Sequence, residues 1–66
     1  MKAIHPEITV QLTGIDGNAF AVIGTVTRAL RRAGVSKEER DQFTKEAMSG
    51  DYDNVLATCF KWVEVD

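Results

Sequence analysis

Cysteine, histidine and proline each occur once in this chain, at Cys59, His5 and Pro6. A lone cysteine rules out an internal disulfide. Structural zinc needs about four Cys, His or carboxylate ligands, so no metal is expected, and no cofactor. Nucleophilic catalysis by Cys59 would need a base beside it, and His5 stands on what reads as a loose lead. There is no Ser-His-Asp set, no P-loop and no dinucleotide fingerprint, so the expected class is a non-enzyme. No stretch approaches the roughly 20 apolar residues that span a bilayer. Met1-Lys2-Ala3-Ile4-His5-Pro6 has one positive charge and no apolar run, unlike a signal peptide. These absences together predict a soluble protein of a reducing cytoplasm, with no membrane partner. Strong basicity is missing too. Eight basic residues stand against ten acidic, a formal net charge of −2, which disfavours nucleic-acid binding by bulk electrostatics.

The 66 residues make one domain with a thin core, since a chain of this size buries only about 60% of its unfolded surface. Residues 1–6 read as a flexible lead and residues 7–66 as a single α+β domain. Ile8, Val10 and Leu12 alternate with Thr9, Gln11 and Thr13, the period of a half-buried strand. Gly14 to Asn18 is a turn containing an Asp-Gly pair, and Asn18 is placed to cap a helix. That helix runs from about Ala19 to Ala33, with Ala19, Val22, Ile23, Val26, Leu30 and Ala33 on one face, and Gly34 ends it. Ser36-Lys37-Glu38-Glu39 reads as a capping box for a second helix, about Lys37 to Ser49. Its stripe is narrow, Phe43, Ala47 and Met48, and Asp41–Lys45 forms an i,i+4 pair. Asp51 caps a third helix with Tyr52, Val55, Leu56, Cys59 and Phe60 in helical register through about Lys61. Trp62 to Asp66 is β-branched and alternating, a second short strand or a continuation of the helix. The order is β-α-α-α-β, a helical hairpin on two short strands. The expected core is Val10, Leu12, Ile23, Val26, Leu30, Phe43, Leu56, Cys59 and Phe60.

The run LTGIDGNAFAVIGTVTRALRRAG, followed by SGDYD and the tail LATCFKWVEVD, resembles a family of short proteins encoded by bacteriophages and prophages. The likeness spans about residues 8–66, and DGNAFA and SGDYD are its most distinctive pieces. The family has no established activity, so the resemblance carries over no functional residue. What it implies is a small phage-type accessory protein, a class that often binds and blocks a host factor.

Arg28, Arg31 and Arg32 form the only basic cluster. They complement the negative end of the first helix, and their guanidinium forks also suit phosphate or carboxylate, whether on an acidic host protein or a small anionic ligand. A helix-turn-helix around Gly34-Val35-Ser36 is disfavoured. The second helix would face phosphates with Glu38, Glu39 and Asp41, and Arg40 stands where an apolar residue is wanted. Asp51, Tyr52 and Asp53, with Asn54, lack the length and closing Glu of a calcium loop, and capping explains Asp51. The turn remains a tentative contact for a basic partner, as does Asp16-Gly17-Asn18. Ile8 and Val10 lie in a strand without the charges or proline that protect an edge. Phe20 and Gly24 share a flank of the first helix beside the core stripe. Gly24 costs about 1 kcal/mol against Ala, usually offset by close approach of another backbone, here either within the monomer or from a second chain. Ile8, Val10, Phe20 and Gly24 are therefore the tentative oligomer seam. The function expected is a non-enzymatic accessory binding protein, oligomeric, inhibiting or sequestering a host factor in counter-defence. The alternatives are a nucleic-acid-associated regulator and a structural phage accessory.

Overall fold

The computed structural model describes residues 3–14 and 17–66. Strand β1 is His5–Val10, helix α1 Ala19–Arg32, helix α2 Lys37–Ala47, helix α3 Tyr52–Trp62 and strand β2 Val63–Val65. The α+β class and the β-α-α-α-β order are as expected. The two strands pair in parallel, with Thr9 opposite Glu64 and Val10 opposite Val65. A parallel pair needs a long crossover, and here all three helices form it.

Helix ends follow from local chemistry. The Asn18 side chain accepts from the Phe20 and Ala21 amides at 2.8 and 3.3 Å, and Asp51 accepts from the Asn54 amide at 3.0 Å. Past α1, the Gly34 amide donates to the Arg31 carbonyl and the Val35 amide to the Leu30 carbonyl, both at 3.0 Å. That pattern places Gly34 in the left-handed region, at φ 88°, which glycine adopts cheaply. Ser36 accepts from the Glu39 amide at 3.2 Å, but the Glu39 carboxylate takes a different partner, the His5 ring. Asp41 pairs with Lys37 at 3.2 Å rather than with Lys45, since both neighbours stand at i,i+4 spacing. Helix α2 stops at Ala47, and the Asn54 side chain donates to the carbonyls of Glu46 and Ala47 at 2.9 and 3.2 Å. Gly50 lets Asn54 come this close, because a β-carbon there would lie 3.0 Å from Asn54 Cβ.

The chain begins its sheet earlier than expected. His5 and Pro6 belong to β1, and the Ile4 amide donates to the Lys61 carbonyl at 2.9 Å. Met1 and Lys2 of the expected lead, and Ile15 and Asp16 of the expected turn, lie outside the described residues. Pro6 is tolerated because the register breaks between His5 and Thr9, and a bulge demands no ladder hydrogen bond there. His5 is held by Glu7 at 3.4 Å and by Glu39, and its ring lies 6.0 Å from that of Trp62. The strand ends at Val10, leaving Leu12 half-buried beyond it.

Val26, Leu30, Phe43, Cys59 and Val63 are fully buried, joined by Ile8, Val10, Val22, Ile23, Ala47, Val55 and Trp62. The register of α3 differs from the expected one. Its buried residues are Val55, Thr58, Cys59 and Trp62. Thr58 is accommodated by its hydroxyl donating to the Asn54 carbonyl at 2.7 Å. Trp62 packs edge-on to Phe43, with centroids 5.6 Å apart, and its indole N–H donates to half-buried Glu46 at 3.0 Å. A residue two positions away lies about 200° around a helix, so anchoring Trp62 turns Phe60 outward, to 61% exposure. Leu56 is half-buried on the flank, while Tyr52, Met48 and Ala33 are exposed.

Two outcomes follow. Phe43→Ala is expected to cost about 3–5 kcal/mol and Phe60→Ser to stay within about 0.5 kcal/mol, measured by denaturant unfolding. Equal losses would restore Phe60 to the core. Glu46 accepts from Lys61 at 2.5 Å and from Trp62, and these two hydrogen bonds hold its carboxyl below the usual glutamate value. A lowered carboxyl contributes stability above its unfolded value and loses it as pH falls through the folded one. Glu46→Gln should therefore be less stable than the parent at neutral pH. It should also lose less on acidification below about pH 4.3. Parallel pH profiles would refute this.

Candidate functional site

The last turns of α1 carry Arg28, Arg31 and Arg32, all exposed. Spacings of three and four residues line them along one ridge. Arg31 and Arg32 stand in the final turn, where the helix dipole favours cations. The Arg28 Nε lies 3.4 Å from the Gly24 carbonyl. Ion pairs join Lys37 to Asp41, Lys61 to Glu46, and His5 to Glu7 and Glu39. Among the described residues, Arg28, Arg31, Arg32 and Arg40 make no ion pair.

The ridge divides two sides. Toward α2 lies an open cleft of about 350 Å³ whose charged lining is Arg28, Arg31, Lys37, Arg40 and Asp41. Four cations face one carboxylate, and that carboxylate already serves Lys37. Arg40, which sequence reasoning treated as a misfit in a DNA-reading helix, is here a wall of the cleft. Toward β1 lie two smaller hollows of about 240 and 250 Å³, reached by Arg28 and Arg32 in one and by Arg32 in the other. Helical spacing identified the ridge. Nothing local in the sequence indicated that the start of α2 would face it.

The other expected site residues are not part of this surface. Asp51 is occupied as the α3 cap. Tyr52 and Asp53 are exposed, and the Tyr52 hydroxyl would lie 3.8 Å from a β-carbon at Gly17. None of the three lines the arginine clefts described above. Ile8 and Val10 are buried in the core, so any contact along β1 runs through backbone rather than through these side chains. Phe20 is 72% exposed. A β-carbon at Gly24 would meet nothing within 4 Å. The close approach that a helical glycine suggests is therefore not made by any described residue of the monomer.

Cys59 is buried, and desolvation pushes its thiol above the ordinary range, the reverse of what a nucleophile needs. Among the described residues, no group of three His, Cys, Asp or Glu could hold a metal ion. No helix of the described residues is long and apolar enough to cross a membrane. No family model, curated protein or solved structure matches the chain.

Two measurements bear on this surface. Native protein should leave Cys59 unmodified by a thiol reagent until denaturant is added, and rapid labelling of the folded protein would contradict its burial. Gly24→Ala should stabilise the monomer by about 1 kcal/mol, read as a rise in unfolding midpoint. A lowered midpoint in dilute monomer would mean that Gly24 is packed against something.

Proposed function

We propose that the chain is a non-enzymatic accessory binding protein of phage type that sequesters an acidic host protein. Its contact surface would be the arginine ridge of α1 with the first turns of α2. The supporting observation is the set of four arginines gathered on one surface, none of which makes an ion pair among the described residues. Arginine suits bidentate recognition of carboxylates. Solvated arginines draw little stability from remaining unpaired, so clustering them on a rigid helix end favours association over folding. The phage context and the inhibitory role rest on the sequence resemblance. Exposed Asp41 in the cleft lining, with exposed Glu38 in the first turn of the same helix, weighs against a duplex lying across it, because phosphates would meet carboxylates.

The same reading makes the protein a symmetric homo-oligomer. Phe20 stands exposed beside the open space over Gly24, a pairing suited to close helix contact about a two-fold axis.

Two experiments test the reading. Tagged protein is passed through nuclease-treated bacterial lysate, with an Arg28→Glu, Arg31→Glu, Arg32→Glu triple variant alongside. Stoichiometric capture of one acidic protein by the parent, lost in the folded triple variant, is expected. Capture that survives the triple variant refutes the surface, and capture seen in a parallel untreated lysate but absent from the nuclease-treated one supports a nucleic-acid regulator instead. For the oligomer, light scattering across a dilution series should give a multiple of the monomer mass, reduced to the monomer by Phe20→Glu. A monomeric parent at every concentration ends that part of the proposal.

A further inference from the structure

Among the described residues strand β1 has a single partner, since the sheet contains only β1 and β2. Its other edge lies open. The two smaller hollows follow that edge. One is bordered by Glu7, Ile8 and Thr9 with Ala29, Arg32 and Ala33, and the next by Thr9, Val10 and Gln11 with Thr25, Arg28, Ala29 and Arg32. No residue of β2 lines either hollow, so both lie on the side of β1 away from its partner. The linings also give a direction. The end of α1 is beside the start of β1, and its middle is beside the end of β1. Helix and strand therefore run antiparallel, with the two hollows in line between them and sharing Thr9, Ala29 and Arg32.

The two walls offer different chemistry. The Val10 carbonyl points to β2, accepting from the Asp66 amide at 2.9 Å. Backbone groups alternate along a strand, so Thr9 turns its own to the open edge, and Gln11 follows directly beyond the end of β1. Ile8 and Val10 bury their side chains on the core side, leaving the edge without apolar side chains to block it. The α1 wall presents Arg28 and Arg32, which make no ion pair. Four residues of helix advance about 6 Å, and two residues of strand advance just under about 7 Å. Carboxylates on alternate residues of an extended chain would thus fall opposite the two arginines in turn. Among the described residues the only acid lining the two hollows is Glu7, at the end marked by Arg32, and it is engaged by His5 at 3.4 Å.

From this we infer that β1 is a strand-addition site for an extended peptide with acidic side chains at alternate positions. Its backbone bonds to the outer edge at Thr9 and Gln11, and its carboxylates rest on Arg28 and Arg32. This deepens the proposed binding function by naming the form of the partner segment, and it rests on that reading. Main-chain bonds supply affinity in such complexes, and alternate side chains supply selectivity.

The test uses a short fluorescein-labelled peptide of alternating valine and glutamate, titrated by anisotropy. Three comparison peptides accompany it: one with the same residues in blocks, one with lysine for glutamate, and one N-methylated on alternate amides. The alternating peptide should bind and should slow hydrogen exchange at the Thr9 and Gln11 amides. Each comparison peptide should bind at least tenfold more weakly. Arg28→Gln with Arg32→Gln should weaken the alternating peptide about tenfold. Arg31→Gln with Arg40→Gln, on the other side of the ridge, should leave it unchanged. Absence of binding, equal binding of the N-methylated peptide, or unprotected Thr9 and Gln11 amides would overturn strand addition. If only the Arg31/Arg40 pair matters for the peptide, the edge proposal fails while the ridge survives as an anion-binding surface. If host-protein capture is indifferent to all the arginines, the broader reading fails whatever the peptide does.

Discussion

The fold hangs on Trp62. It is the last residue of α3 and the one that delivers the chain into β2. Its ring meets Phe43 of α2 edge-on and lies against His5 of β1, and its N–H reaches Glu46. One side chain thus ties a helix, the opposite strand and the crossover together. In a domain with so little interior, a ring of this size supplies a large share of the buried apolar surface. The polar end is satisfied by a carboxylate that also holds Lys61, so the indole enters the core without leaving a buried donor unpaired. The rotation of α3, the outward position of Phe60 and the recruitment of His5 into β1 all follow from seating this residue.

Seating Trp62 also decides what remains for function. With β2 drawn against one side of β1, the helices become the crossover, and no described residue pairs with the second side of β1. The core takes Val22, Ile23, Val26 and Leu30 from α1, which puts Arg28 and Arg32 beside β1 and Arg28 and Arg31 beside α2. The ridge is a by-product of how α1 packs. A helix that buries one stripe must present the rest, and here the rest is arginine at its C-terminal end and Phe20 with Gly24 nearer its start.

Features settled by chemistry within a few residues were legible in the sequence. Asn18, Ser36, Asp51 and Gly34 each mark a helix end by satisfying backbone groups close by. The strands' existence and the arginine ridge were legible from periodicity. Where two answers obeyed the same local rule, tertiary packing chose between them. Leu56 and Phe60 fit helical spacing as well as Thr58 and Trp62 do, and Asp41 is four residues from both Lys37 and Lys45. His5 and Pro6 read as a lead because a bulge that tolerates proline has no local signature. The α2 wall of the cleft and the open groove beside β1 depend on which elements become neighbours, which no single segment carries.

The parallel pairing has a bearing on the order of assembly. The corner between α2 and α3 closes over a short stretch, through Asn54 and the carbonyls of Glu46 and Ala47. His5 opposite Val63 joins positions from almost opposite ends of the chain. Closing so long a loop takes more chain entropy than closing the corner, and contacts of large sequence separation slow folding. The helical corner is thus suited to nucleate and the sheet to form last. Changes at the seam would then act mainly on the unfolding rate, and changes at the corner mainly on the folding rate. The element that folding completes last also contains the strand whose far edge no described residue fills.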